Sequence, residues 1–497
     1  DDLPEGVINS FPYLLAQRGI VYTHLGSVEQ GLKFLNKAEA LLLDTGEKEA
    51  LARTITWRAT SYRFLGNYEA SLEDAEKVLG LFDGFDAIRA EAMRIKGLAL
   101  HSLGRMLEAF EPLEQSLTIY NSLADQDNIA ITHMDLGFAF MSIGDSSNAL
   151  HHYHLALDLW QKTKNLTRKA NLLNNLGVLA HAKGDLLQAE SYFSEALTCA
   201  RQAGYTRIEA FTLASQGDLL ADLAFYEAAI ECYRKSRQIA EKLEERFLLL
   251  YLGLANTKLA RMQGKIDEAF EKLHKVETFA KESKSSYSLG LWFLEQGTLL
   301  LKSGEITEAI AAEKKTISYL KNGGQKIEAA QALIYLALAQ YQGGNQESAI
   351  ASIVEAASVA SSLESYYPLI VTGKDSREML DQIKNNPKVH VFTRDFLQQI
   401  EEFEEALPQL RRQIRRQGKQ DSFAPPDISI HALGQAQIYL NGEVLDKPEW
   451  SNQKTVRELF FLLLANHDGM TKEAIGLNLW PESTIKQLVP QLSKVVG

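Results

Sequence analysis

Few side chains in this 497-residue chain are spaced for chemistry, and each such group also has a plain structural use. His151-His152-Tyr153-His154 places two histidines at i and i+3, a spacing that brings ring nitrogens to one helical face as in metal sites. No Cys, Asp or Glu is arranged beside them, so a neutral, exposed histidine patch is expected and no metal is assigned. Gly373-Lys374-Asp375-Ser376 has a lysine but lacks the glycine-rich run that would cradle phosphates. Nucleophile-elbow and dinucleotide glycine motifs are also missing, so the chain reads as non-enzymatic and without a cofactor. Cys199 and Cys232 are the only cysteines, too few for a disulfide framework, and are expected as buried free thiols in a reducing cytoplasm. The densest charge is sorted: Glu401, Glu402, Glu404 and Glu405 precede Arg411, Arg412, Arg415, Arg416 and Lys419. That order complements a helix dipole, and it equally suits a basic arm that touches phosphates.

The elements that hold these groups recur. Gly26, Gly66, Gly104, Gly144, Gly184, Ala224, Gly264, Gly304 and Gly344 mark turns at a spacing of about 40 residues. A small residue opens the helix after each turn, as at Ala149, Ala189 and Ala309. Another lies seven residues before it: Gly19, Ala59, Gly97, Gly137, Gly177, Gly217, Thr257, Gly297 and Ala337. In one unit, Leu172, Leu173, Leu176 and Leu179 form the apolar stripe of a first helix, and Ala189, Tyr192, Phe193, Ala196 and Leu197 that of a second. Neither stripe can be buried within its own unit; stacked neighbours bury both, which makes a solenoid.

The small residue, Gly turn, Ala-led helix and terminal Ala-Leu pair resemble the tetratricopeptide repeat over about 26–360, in nine units. The long period is similar to that of bacterial regulators of the maltose-regulon-activator type. The resemblance implies a superhelix whose concave wall is lined by the first helix of each unit. Counting six and three before the small anchor, and one and four after, places Arg53, Thr56 and Arg63, then Glu91, Arg94 and His101, on that wall. The same count gives Met134, Phe138 and Met141, then Asn171, Asn174 and His181. An early basic stretch followed by adaptable methionine suggests a groove for an anionic or peptide-like ligand.

After the array, Phe392, Phe396, Leu397, Ile400, Phe403 and Leu407 predict a capping helix from about Val389, and Ser422-Phe423-Ala424-Pro425-Pro426-Asp427 predicts a linker. The period then changes from helix to strand: Ile428–His431 alternates, as does Gln435–Leu440, and Asn441-Gly442 predicts a hairpin into Glu443-Val444-Leu445. Helices are expected over Gln453–Asn466 and, capped by Thr471, over Lys472–Leu479, with a last one over Ile485–Val496 that Pro490 should kink. Leu440-Asn441-Gly442-Glu443-Val444, Lys454–Leu459 and Leu479-Trp480-Pro481 resemble the response-regulator-type winged helix of SARP-type bacterial activators. The resemblance implies Lys486, Gln487, Gln491, Ser493 and Lys494 on the recognition helix, with Lys454, Arg457 and Lys472 on phosphates; the basic arm of Arg411, Arg412, Arg415 and Arg416 is a separate DNA-contact candidate.

Composition bounds the rest. A formal charge of −12 disfavours nucleic acid or anionic membrane over most of the surface, and no apolar run reaches the ~20 residues of a membrane span. From Ile428 onward six Lys/Arg face seven Asp/Glu, so the last domain is not itself basic. The expected chain is an all-α repeat superhelix (1–363), a helical cap with a basic end (364–420), a linker (421–427) and a small α+β winged-helix-like domain (428–497). Because the first residue is Asp1, a fragment of a longer chain is expected, and regulators of this kind carry an upstream NTP-hydrolysing switch domain. Two functions stay open: a cytoplasmic transcription regulator with a protein, peptide or small-molecule effector in the groove and DNA at the C-terminal domain, or an interaction scaffold whose winged helix is a contact module.

Overall fold

The computed structural model describes residues 11–81, 86–160, 165–321 and 323–417, then 428–431, 437–440, 443–444, 454–466, 470–480, 482–483 and 487. It divides into two compact units, Asp1–Gly418 and Lys419–Gly497. The first is helical throughout its described part, and eighteen of its helices form nine successive pairs. They are α1 (Pro12–His24), α2 (Val28–Leu42), α3 (Lys48–Phe64), α4 (Tyr68–Leu81), α5 (Ala87–Ser102) and α6 (Phe110–Ser122), the last entered through a short 3₁₀ turn. Next come α7 (Gln126–Ser142), α8 (Ser146–Trp160), α9 (Leu166–Lys183), α10 (Leu186–Ala203), α11 (Thr206–Asp222) and α12 (Tyr226–Lys242). The array closes with α13 (Arg246–Met262), α14 (Ile266–Glu282), α15 (Ser286–Ser303), α16 (Ile306–Leu320), α17 (Lys326–Gln342) and α18 (Gln346–Ala360). Odd-numbered helices are the first helix of each unit.

The fifth unit shows why the pair forms. Gly184 ends α9 in the left-handed region (φ 87°), and its N–H closes the last turn onto the His181 carbonyl. A side chain there would be strained; one at Gly177 would collide, because a Cβ would lie 2.5 Å from the Phe193 ring on α10. Leu172, Phe193 and Ala196 are fully buried between the two helices and their neighbours. Cys199 and Cys232 are buried free thiols.

Beyond α18 come a 3₁₀ turn at Tyr367–Leu369, α19 (Ile370–Asp375), α20 (Arg377–Ile383) and α21 (His390–Gln417), which runs through Pro408. Phe392, Phe396 and Ile400 of α21 join Leu369, Met379 and Ile383 in a core continuous with α17 and α18, so the array's apolar end is covered. The expected capping helix is thus present.

Turns of early units also meet much later segments. Ser285 Oγ donates to the Ser102 carbonyl (2.7 Å), Gln325 Nε2 to the Gly104 carbonyl (2.8 Å), and the Ser147 N–H to Glu364 Oε1 (2.8 Å). These partners are 183, 221 and 217 residues apart, roughly five repeats, so one coil of the superhelix rests on the next.

In the second unit β1 (Ile428–His431), β2 (Gln437–Leu440) and β3 (Glu443–Val444) form an antiparallel sheet in sequence order, with Leu440 opposite Glu443. Then come α22 (Lys454–Ala465) and α23 (Lys472–Leu479), whose N-terminus Thr471 Oγ1 caps by accepting from the Ala474 N–H. Leu459 and Ile475 are buried between the two helices. The expected linker lies outside the described residues, as does the expected last helix with Pro490, apart from Gln487.

Candidate functional site

The inner helices of the later units build a cleft of about 370 Å³, closed on one side by Tyr367–Thr372. Its walls come from α9, α11, α13, α15 and α17. On α13, Tyr251, Leu254, Lys258 and Arg261 stand six and three before, and one and four after, the small position Thr257. The helix face read from sequence is therefore the lining face, but the cleft belongs to units five to nine, and of the residues assigned to the groove only His181 lines it.

Hydroxyls and carboxylates alternate around the cleft. Tyr233 Oη donates to Asp218 Oδ1 (2.7 Å), and Tyr251 Oη donates to the other oxygen of the same carboxylate. Tyr287 Oη donates to Glu328 (2.9 Å), and His181 Nε2 meets Asp222 Oδ2 at 3.0 Å. Arg261 Nη1 (2.9 Å), Lys302 (2.8 Å) and the Tyr335 hydroxyl (2.9 Å) all donate to Asp375. Burial raises the Asp218 and Glu328 carboxyls above the usual range, despite their tyrosine donors. Burial pushes Asp222 the same way, but Lys258 and His181 outweigh it and hold that carboxyl below the usual range. The arrangement offers charged acceptors, hydroxyl donors and aromatic walls, which suits noncovalent recognition of a mixed polar and apolar segment.

Several of these contacts link neighbouring inner helices at one fixed separation. Tyr287 to Glu328, His181 to Asp222, His101 to Ser142 and Arg94 to Asp135 are each 41 residues apart, one repeat plus one. Donor and acceptor types at that spacing would have pointed to Asp222, Tyr287 and Glu328, which the sequence reading missed.

The remaining groove candidates have other duties. Arg53 pairs with Glu49 one turn back on its own helix (3.3 Å). Arg94 is held by Asp135 (2.8 Å), and His101 donates to or accepts from Ser142 Oγ (2.8 Å) beside the Phe138 ring, 4.6 Å away between centroids. Met134 is core and Met141 takes a long contact from the Tyr153 hydroxyl (3.9 Å). Asn174 is buried, and Asn171 is half-buried at the start of the same face. Met134 belongs to a core cluster against which Phe140 and Met141 pack. Arg63 differs from them: its Nε is buried without a hydrogen-bond partner and its guanidinium lies 5.2 Å from the Phe64 ring.

His151 and His154 do not converge. The close pair is instead His133 and His152, whose Nδ1 atoms lie 2.9 Å apart, with His152 stacked on Phe140. Among the described residues no group of three or more His, Cys, Asp or Glu is placed to hold a metal.

The basic end of α21 is partly committed to the array. Arg411 Nε donates to the Leu223 carbonyl (2.6 Å), and the Arg415 guanidinium lies over the Phe225 ring (5.0 Å). Arg412 bonds the Pro408 carbonyl on its own helix, and the Arg416 side chain lies outside the described residues. The reading of these arginines as one free arm is corrected for Arg411 and Arg415, which brace the turn of unit six. In the second unit Lys454 pairs with Glu458 (3.5 Å), Arg457 is half-buried, and Lys472 and Gln487 are exposed. Lys486, Gln491, Ser493 and Lys494 lie outside the described residues.

Residues 123–317 match the family described as the MalT-like TPR region, and residues 58–124 and 294–362 match the tetratricopeptide repeat. The array consists of tetratricopeptide repeats. The crystal structure of a Rap protein complexed with competence and sporulation factor is similar at a TM-score of 0.56 and 15% identity, covering 71% of this chain and 98% of that one. The apo quorum sensor NprR from B. thuringiensis (TM-score 0.44, 15% identity, 69% of this chain and 97% of that one) is also similar. So is aspartyl phosphate phosphatase F from Bacillus subtilis (0.44, 14%, 72% and 95%). At these identities the likeness concerns the fold. No curated protein matches the chain. The tetratricopeptide repeats thus account for the helix pairs, while these comparisons do not show the winged-helix resemblance of the second unit. No helix among the described residues is long and apolar enough to cross a membrane.

Proposed function

We propose that this chain is the sensor and output portion of a cytoplasmic bacterial transcription regulator. The repeat superhelix holds a peptide, protein segment or small effector in the cleft of units five to nine, and the C-terminal domain binds DNA as a winged helix. One observation carries the reading: five successive inner helices converge on a single cleft of about 370 Å³ lined by tyrosines and carboxylates. The similar Rap structure is of a complex, which supports a bound partner on this fold. The strand, strand, strand, helix, helix order of the second unit, with Lys454, Arg457 and Lys472 on its helices, supports the output. Neither catalysis nor a cofactor enters the proposal.

The experiment is footprinting on genomic fragments with the chain extended beyond Gly497. A selected site bound about a thousandfold tighter than random DNA supports the output. Binding no tighter than random sinks it and leaves the second reading, an interaction scaffold. That second reading is favoured by one observation: Arg411 and Arg415, two of the four arginines at the end of α21, are engaged on Leu223 and Phe225.

A further inference from the structure

Outside the cleft, cationic side chains from four inner helices gather near Phe64. Arg63 and Phe64 end α3, His24 ends α1, Arg207 opens α11 and Arg94 lies on α5. The Arg207 guanidinium lies 4.2 Å from the Phe64 ring centroid and that of Arg63 5.2 Å, while the His24 ring meets the same ring edge-on at 5.9 Å. Arg207 comes from a unit four repeats later, so the cluster spans the place where one coil lies on the next.

Two of these cations are balanced. Arg207 is paired with Glu245 (2.5 Å) and Arg94 with Asp135 (2.8 Å). Arg63 is not: among the described residues it pairs with no carboxylate, and its buried Nε has no hydrogen-bond partner. It stands four after the small position Ala59, the register at which His181 and Arg261 face the cleft, so it is on the inner wall. A half-buried guanidinium whose neighbours are two more arginines has a strong unmet demand for an anion. The surroundings respond in the same sense. Burial, then Arg207 and Arg94, push Arg63 down to about 10, and burial followed by Arg207 and Arg63 lowers His24. Tyr68, His101, Arg168, Asp135 and the second-coil Glu245 are the other titratable groups facing the cluster.

We propose that Arg63 is the seat of an oxyanion, a carboxylate or phosphate group, held in the combined field of Arg207 and Arg94. Arg63 supplies the N–H donors, and the ligand's charge completes a balance that the chain itself leaves short by one. Because Arg207 belongs to the next coil, an occupied seat also attracts the two coils to each other.

The test uses the intact chain at constant ionic strength, with inorganic phosphate as one probe and acetyl-alanyl-alanine as the other. A saturable rise in melting temperature with either probe, absent with chloride and with the peptide's C-terminal amide, is expected. The probe that acts identifies the source of the oxyanion. Arg63→Met should abolish the saturable rise while melting no lower than the wild type without anion, and Arg63→Lys should keep part of it. Imidazole titrations by NMR give a second readout that does not depend on the variants: the bound anion should raise the His24 and His101 pKa values. The proposal is overturned if neither probe acts, if chloride acts equally, if the rise persists in Arg63→Met, or if, should that variant not fold, the two histidine titrations do not move in the wild type.

Discussion

Glu313 occupies, in unit eight, the position that Leu35, Leu113, Tyr153, Phe193 and Tyr233 hold in other units, each packed against the small residue of the preceding helix. It is 1% exposed, neither carboxyl oxygen has a hydrogen-bond partner, and Gly297 approaches it closely. Burial, reinforced by Glu295, raises its carboxyl well above the ordinary range. The native state therefore keeps a proton that the unfolded chain releases above about pH 4.5, and stability falls as pH rises above that point. Glu313→Leu should gain about 1–3 kcal/mol at pH 7.5 in urea unfolding, and the gain should shrink toward pH 4.5. His101 works in the opposite direction. Burial and Arg63 push its imidazole down to about 4, so the unfolded chain takes up a proton first as pH drops from about 6.5, and stability falls through that window. His101→Phe should flatten the loss between pH 6.5 and 4, measured by the same denaturation series; an unchanged slope would assign it elsewhere. Neither effect is legible in the sequence, where Glu313 carries no mark of burial and His101 reads as a groove residue. Their cost depends on which neighbours bury them.

At the level of elements the sequence was a good guide where a backbone requirement selects a residue type. The turn glycines Gly66, Gly144, Gly184, Gly264 and Gly304 all have positive φ, and the odd one, Ala224, is held at φ 55°. That conformation costs a non-glycine residue about 1 kcal/mol, so Ala224→Gly should stabilise the array by about that amount in thermal unfolding. Gly177→Ala should do the reverse. Its Cβ would lie 2.5 Å from Phe193, and overpacking of this kind costs about 1–3 kcal/mol. The strands and the two C-terminal helices fall within a residue or two of their expected bounds, because alternation and the Thr471 cap are local signals. The lining face of the inner helices was equally legible; Tyr251, Leu254, Lys258 and Arg261 obey the count anchored on Thr257. Which units open into a cleft was not. That depends on the space left between helices, and the basic early residues drew attention to units two to five.

On the scale of the whole array, the coils touch. Ser285 on Ser102, Gln325 on Gly104 and Lys284 on Glu69 (2.7 Å) tie segments that no local pattern relates, since the repeat period says nothing about how many units complete a turn. These ties fix the pitch, and any effector that changes curvature must strain or release them. Arg411 on Leu223 and Arg415 over Phe225 likewise tie the last long helix, α21, to the turn of unit six. The proposed effector sits in the cleft of units five to nine. Selecting ligands from a randomised hexapeptide pool on the wild-type chain, and measuring their affinity for Tyr251→Ala/Tyr335→Ala, tests it most directly. The account predicts a loss of at least about tenfold, about 1.4 kcal/mol, in a variant that circular dichroism shows to stay helical although truncating the buried Tyr335 lowers its melting temperature. Equal affinity for both proteins would place the effector outside this cleft and contradict the account.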